Sequence, residues 1–485
     1  MEPWPSLLLS VVSVPLHIWA ALSVLAAERR RPAATLAWLL AVLFLPFVGV
    51  IFYVLIGRTR ARRLKQRSLR STERVARVVA RFGARQRLHE SFGEAPEPRT
   101  LAVLKLAESL STTPASTGNS VDLLNGGAAA YRSMLSAIAE AKHSVHVLFY
   151  IIRADRVGES LRDRLAAKVK EGVEVRLLFD GVGSIDLPDD FWRPLTDVGG
   201  EVAVFNPVLR VAARWRRRDR VDFRNHRKIV VVDGRIGFTG GINVGREYLG
   251  LDPDMGHWRD THVRVRGPAV LALQEVFAHD WLIATDHLAA DTWFPDPPAP
   301  PVGRSTIQVV DSGPESAWSP MGQLYTQALS AARDRAWLTT PYFVPNEPVE
   351  EALINAALRG VDVRLLVPGR GDHLMVSLAS RSYYRPLLRS GVRIFEYQRG
   401  FVHAKTLVID DWLGTIGSAN MDMRSFLLNF ELNAFVFERR ICDELASQYL
   451  LDLQHADEVL ASDPGLNSYP RRLLYQSARL LSPLL

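Results

Sequence analysis

The 485-residue sequence contains a single cysteine, Cys442. One thiol can neither close an intrachain disulfide nor build a cysteine-based zinc site, so a disulfide scaffold is excluded and the redox compartment stays open. With 48% hydrophobic and 23% charged residues, the chain is also neither collagen-like nor wholly disordered. Formal charge is missing from two long stretches, Ser6 to Ala27 and Ala33 to Ile56. Acid is missing from a third, residues 58–70, which hold Arg58, Arg60, Arg62, Arg63, Lys65, Arg67 and Arg70.

These absences locate the charge. The net +7 and the pI near 9.6 suggest nucleic acid or an anionic membrane as a partner. The first 88 residues carry +12, however, so the other 397 carry −5. The body is mildly acidic and the base forms a collar beside the uncharged runs. Each run is long enough to cross a hydrocarbon core of about 30 Å as a helix. Residues 1–57 are therefore expected to be a two-helix transmembrane hairpin. A cleaved secretory signal fits poorly, because Met1-Glu2-Pro3-Trp4-Pro5 lacks the usual positive charge. Seven basic residues after the second run outweigh Arg29, Arg30 and Arg31 between the runs, which puts the body on the cytoplasmic side of a cell membrane.

In the collar and linker, residues 58–98, Val75, Val78, Val79 and Phe82 recur at helical spacing beside Arg74, Arg77, Arg81 and Arg85. Two readings suit this pattern: a helix lying on anionic lipid, or one whose apolar stripe packs on the body.

Beyond the collar the chain repeats itself. Residues 172–178 read Gly-Val-Glu-Val-Arg-Leu-Leu and residues 360–366 read Gly-Val-Asp-Val-Arg-Leu-Leu. Each follows a helical pattern, Leu161–Glu171 or Val349–Arg359, and each pattern follows an apolar run, Val145–Ile152 or Ala336–Thr340. Strand, helix, strand makes a βαβ unit, so the expected fold is α/β: two duplicated lobes with mostly parallel mixed sheets flanked by helices. The lobes are placed at 99–292 and 305–485. Residues 293–304 join them, since five prolines in the nine residues Trp293–Pro301 cannot continue a helix or a central strand.

Each half also carries one polar signature. The first is His226-Arg227-Lys228, then Asp233 and Gly240-Gly241-Ile242-Asn243; the second is His403-Ala404-Lys405, then Asp410 and Gly417-Ser418-Ala419-Asn420. Both obey H-x-K-x4-D-x6-G-[GS]-x-N. Residues i and i+2 of a strand share a face, so each His and its Lys point together. One H-x-K means little; two copies at matching positions of a duplicated lobe point to one composite site.

With these motifs the chain resembles the phospholipase D superfamily, and within it the bacterial cardiolipin synthases. Thr340-Pro341-Tyr342-Phe343-Val344-Pro345, Asn225-His226-Arg227-Lys228, Gly417 to Phe426 and Asn429-Phe430-Glu431-Leu432-Asn433 also match. Gly241 departs from the superfamily pattern, which has Ser there. A backbone N–H is the expected substitute for the lost hydroxyl.

The residue types suit transfer at a phosphodiester. Lys228 and Lys405 neutralise nonbridging oxygens, and Asn243 and Asn420 donate to them. One neutral His attacks phosphorus while the other protonates the leaving alkoxide, then activates a second alcohol. The resemblance implies that both His meet at the lobe interface, with His226 favoured as the covalent residue. Asp233 and Asp410 are the motif acids, with a loop-shaping role as the alternative. Glu431 is expected to hold His403, and Asp260 to be its first-lobe counterpart, with Ser418 adding a hydroxyl. No step calls for a metal or cofactor. A local patch of base, Arg210 to Arg224, is expected either to recruit anionic headgroups or to form a solvated loop. Leu473, Leu474, Leu480 and Leu481 beside Arg471, Arg472 and Arg479 suggest a second membrane contact.

The resemblance implies a phosphatidyltransferase that converts two phosphatidylglycerols into cardiolipin and glycerol. The rivals are a phospholipase D using water, a superfamily nuclease and a membrane scaffold. Nucleic acid is not an expected partner.

Overall fold

A computed structural model describes residues 4–26, 32–45, 47–54, 62–81, 97–111, 113–207, 222–253, 255–287, 300–316 and 318–482. Parts of the collar, most of the Arg210–Arg224 patch and most of the proline-rich linker lie outside the described residues. The chain divides into two compact units, Met1–Arg63 and Leu64–Leu485.

The first unit holds helices Trp4–Leu25, Pro32–Phe44 and Val48–Phe52. The second uncharged run is therefore broken instead of spanning in one piece. Its first helix stops two residues before Pro46, and Phe47 sits at φ 64°. At 1.5 Å per residue, 13 residues reach about 20 Å. Among the described residues, no helix is long and apolar enough to cross a membrane. The helices pack on each other through Ala20, Val24, Val42, Val50 and Tyr53, and the Tyr53 hydroxyl donates to Ser23 Oγ at 2.9 Å.

The second unit is built on one 15-stranded sheet and two two-stranded ones, nineteen strands among the described residues. Its first lobe contributes β1 (Ser116–Asn125), β2 (Ser144–Phe149), β3 (Glu174–Asp180), β4 (Glu201–Phe205), β5 (Ile229–Val232), β6 (Ile236–Gly240), β7 (His257–Arg259) and β8 (Thr261–Arg266). The second contributes β9 (Ser305–Ser312), β10 (Arg335–Thr339), β11 (Phe343–Val344), β12 (Asp362–Pro368), β13 (Arg393–Tyr397), β14 (Gly400–Val402), β15 (Thr406–Ile409), β16 (Leu413–Gly417), β17 (Met421–Asp422), β18 (Glu431–Phe437) and β19 (Ala456–Val459). From one edge the order is β4-β3-β2-β5-β6-β8-β1, and β9-β18-β16-β15-β10-β12-β13-β19 continues it. Up to β13, the second half is the first in reverse. The duplicated lobes thus meet edge to edge across the antiparallel β1–β9 pair.

The sheet is mixed, but it is not mostly parallel. Only β2–β3–β4 and β10–β12–β13 pair in parallel; every other neighbour in it is antiparallel. The βαβ units do supply parallel pairs. The motif strands β5 and β15, in contrast, reach β6 and β16 through three-residue turns, which can only make antiparallel hairpins. The repeated glycines have a local cause: Gly172 and Gly360 end the crossover helices at φ 88° and 89°, the left-handed conformation that a side chain disfavours. Val, Ile and Leu then bury β2, β3 and β5 on both faces.

One boundary differs from expectation, and one open alternative is decided. Helix Pro98–Leu110, placed by sequence in the first lobe, buries Val103 and Ala107 in the second lobe's core with Met321, Leu324 and Tyr325. Helix Arg62–Arg81 buries Val75 and Val78 with Phe277 and Trp281, and its Ser68 and Ser71 hydrogen-bond His279. Its apolar stripe therefore packs on the body, while Arg74 and Arg77 stay exposed.

Candidate active site

The sheet places both motif histidines where the lobes meet. His226 precedes β5, and its N–H donates to the Phe430 carbonyl at 2.9 Å, one residue before β18. His403 follows β14, and its N–H donates to the Arg259 carbonyl at 2.7 Å, at the end of β7. The two lobes exchange these contacts. As a result His226 Nδ1 lies 3.0 Å from Glu431 Oε2, while His403 Nδ1 lies 2.7 Å from Asp260 Oδ2. Glu431 and Asp260 do orient the imidazoles, but each serves the histidine of the other lobe. The expectation that Glu431 holds His403 is corrected: sequence proximity suggested it, and the bridge between Asn225 and Phe430 overrides it.

The tautomers follow. His226 Nδ1 also faces the Ser418 carbonyl at 3.1 Å, an acceptor with no proton to give. Nδ1 must carry the hydrogen, which leaves Nε2 with its lone pair. Glu431 is tied down further by Ser418 Oγ at 2.6 Å and Asn429 Nδ2 at 3.1 Å. At the equivalent place in the first lobe, a Cβ on Gly241 would lie 2.2 Å from Asp260 Oδ1. There is no room for serine, and the Thr261 N–H donates to that oxygen at 2.7 Å instead.

Both histidines, both lysines and both carboxylates are buried. Lys228 Nζ donates to the His226 carbonyl at 2.6 Å, and Lys405 Nζ to that of His403. Burial pushes the His226 and His403 pKa values down to about 4, against the pull of their carboxylates. Burial likewise lowers Lys228 to about 7 and Lys405 to about 8. Glu431 and Asp260 stay below their usual values, because the facing imidazoles and lysines outweigh burial. The site thus holds neutral imidazoles beside carboxylates, with two lysines whose lowered pKa values an approaching anion would raise.

His226, His403, Asn243 and Asn420 line one cleft of about 1070 Å³, with Tyr150, Tyr248, Tyr342 and Arg424. Asn243 is held by the Ile151 N–H on its oxygen (3.1 Å) and gives its amide hydrogen to Tyr248 Oη (3.0 Å). Asn420 Oδ1 is buried with no partner among the described residues. Trp258 packs on His403 with ring centroids 5.1 Å apart, and Tyr150 on His226 at 4.9 Å.

Asp233 and Asp410 are not there. The cleft lies at the C-terminal ends of β2 and β10, where Tyr150 and Tyr342 follow them. Asp233 accepts the N–H groups of Lys142, His143 and Ser144, which lead into β2 from its other end. Asp410 accepts those of Arg333, Asp334 and Arg335 at the corresponding end of β10, together with the Arg99 guanidinium at 2.8 Å. Both acids sit at positive φ, 52° and 50°, and shape the turn into the next strand. The catalytic assignment is corrected to the loop-shaping alternative.

Other supports were not singled out from sequence. Arg227, fully buried, pairs with Asp280 at 2.6 Å and donates to the Glu431 carbonyl at 3.0 Å, so it braces the strand that presents the carboxylate. Asn225 reaches the same Asp280 at 2.7 Å. The Asn-His-Arg-Lys run carried this signal, but its partner 53 residues on carried none.

Duplicated lobes that each give a histidine and an asparagine to one cleft, with a lysine buried behind each histidine, define a protein of the phospholipase D class. The fold agrees with that of phosphatidylserine synthase from Haemophilus influenzae, at TM-score 0.58 and 14% identity over 79% of this chain and 100% of that one. A cardiolipin synthase, phospholipase D-like domain matches residues 134–281 and 325–452, and a phospholipase D-nuclease N-terminal domain matches residues 16–58. Similar relatives include cardiolipin synthases from Alkalihalophilus pseudofirmus, 38% identical over 94% of this chain and 90% of the relative, and Geobacillus kaustophilus, 38% identical over 99% and 95%. The chain belongs to the phospholipase D-like cardiolipin synthase family.

Proposed function

We propose that the cleft transfers a phosphatidyl group from one phosphatidylglycerol to a hydroxyl of another, giving cardiolipin and glycerol. The observation that carries the reading is the pair of cross-lobe His–carboxylate couples in a single cleft. His403 takes up a proton on Nε2 as the substrate enters, its imidazolium held by Asp260. His226 Nε2 then attacks phosphorus, the bond to the glycerol oxygen breaks, and His403 Nε2 gives that oxygen its proton. The second phosphatidylglycerol then loses a hydroxyl proton to His403, its oxygen attacks phosphorus, and the bond to His226 breaks.

Two features support this division of labour. His226 Nδ1 meets a carbonyl as well as Glu431, whose charge is shared among three side-chain donors, so this imidazole stays neutral and nucleophilic. The shorter 2.7 Å contact to Asp260 suits the imidazole that carries positive charge. Lys228 and Lys405 regain full charge as the phosphate anion enters, with Asn243 and Asn420 as neutral donors beside it.

The first unit attaches the enzyme to the membrane, with the catalytic body on the cytoplasmic face. Its support is the outward display of Leu22, Leu36, Leu43, Phe44, Ile51 and Phe52, all exposed in a unit that matches the family's N-terminal domain. Expression in a cardiolipin-free bacterium followed by lipid mass spectrometry tests the activity in a cell. Cardiolipin appears with the wild type and is absent with His226→Ala; a cell that stays cardiolipin-free with the wild type refutes the reading.

A further inference from the structure

Large exposed aliphatic side chains gathered beside a cleft mark an interaction surface. In both lobes such residues are chain neighbours of residues that line the cleft. Ile185 (60% exposed) precedes the cleft residue Asp186, and Leu251 (65%) precedes Asp252. Leu374 (73%) and Met375 (39%) lie between the cleft residues His373 and Val376. Leu427 (48%) stands between Arg424 and Asn429, which also line the cleft.

The arrangement repeats with the fold. Ile185 comes five residues after the end of β3, and Leu374 six after the end of the equivalent β12. Leu251 comes eight residues after Asn243, and Leu427 seven after Asn420. Segments of different sequence thus put an apolar residue within one position of the same two places in each half. Nothing in the packing requires this, since these side chains are largely uncovered.

We infer that these five residues form a rim that seats the cleft mouth on the acyl face of a lipid bilayer, so that headgroups enter while their chains stay in the membrane. The proposal rests on the lipid-transfer reading above. The occupant follows from continuity with the cleft. The histidines are buried, so a two-chain phospholipid must bring its phosphate inward past this rim, and its chains leave through the same opening. Arg246 and Arg424 line the same cleft and suit the anionic headgroup region. The pseudo-symmetry gives each of the two lipids its own half of the rim.

Two measurements decide it, both on the full chain in proteoliposomes of equal parts phosphatidylcholine and phosphatidylglycerol. Cys442 is buried, so Leu374→Cys gives one accessible thiol for a fluorophore. A control at Leu358→Cys labels an equally exposed site at the far end of helix Glu347–Leu358, which starts near the cleft. Lipids carrying nitroxide on the acyl chain should quench the first dye severalfold more than the second; equal or absent quenching overturns the rim. Quenching of the first dye by a second labelled copy, with no response to lipid nitroxide, overturns it in favour of a dimer. Combined Ile185→Ser, Leu251→Ser, Leu374→Ser and Met375→Ser should lower turnover of bilayer phosphatidylglycerol about tenfold. Turnover of dihexanoyl phosphatidylglycerol, dissolved as monomers, should stay within about twofold. Equal turnover on bilayers overturns the rim, as does an equal loss on both substrates. A wild type that turns over neither refutes the activity, while the quenching still reports on the rim.

Discussion

Gly241 and Ser418 hold equivalent places in the two half-sites and have become unlike because their carboxylates differ. Glu431 is one methylene longer and accepts the Ser418 hydroxyl, whereas Asp260 fills the space a side chain at 241 would need. Gly241→Ser, which restores the superfamily residue, should therefore displace Asp260 from His403 and lower turnover by about 10–100-fold, read in a steady-state assay of cardiolipin formation. The buried histidines add a pH signature. Their folded-state pKa near 4 lies below the 6.5 of an unfolded chain, so the unfolded state binds protons first. Stability is complete above about pH 6.5 and falls as pH drops towards 4, on the order of 1–3 kcal/mol per histidine. Thermal melts of His226→Gln/His403→Gln should show a flatter decline across that window than the wild type.

The strands explain what could be read in the sequence and what could not. The paired H-x-K motifs, the Asn residues and the βαβ units are local patterns, and each appears where its spacing put it. The crossing of carboxylates between lobes is not local. It arises because Asn225 bridges to Phe430 and β14 runs beside β7, contacts some 140 to 205 residues apart that leave no periodic trace. The motif acids misled for the opposite reason: Asp233 and Asp410 recur with the histidines because the hairpin needs them, at the far end of the strand. Two outcomes follow. In a double-mutant cycle on unfolding free energy, Glu431→Gln should couple to His226→Ala by about 1 kcal/mol or more and act independently of His403→Ala. Asp233→Ala should cost about 1–3 kcal/mol in denaturant unfolding while the folded fraction turns over within about twofold of wild type.

Across the whole chain, a net charge of +7 divides into +12 over the first 88 residues and −5 over the rest. That division separates a basic first part from a mildly acidic body that holds one lipid-transfer cleft. Most of the body's fold was legible because duplication announces itself twice. The second uncharged run was not, since composition alone does not show where Pro46 and the positive φ of Phe47 divide it. The central claim is that two equivalents of the same lipid meet in one cleft, and the purified protein with phosphatidylglycerol as its sole lipid tests it most directly. Equimolar cardiolipin and glycerol, abolished by His403→Ala, is the predicted result; phosphatidic acid without cardiolipin would contradict it.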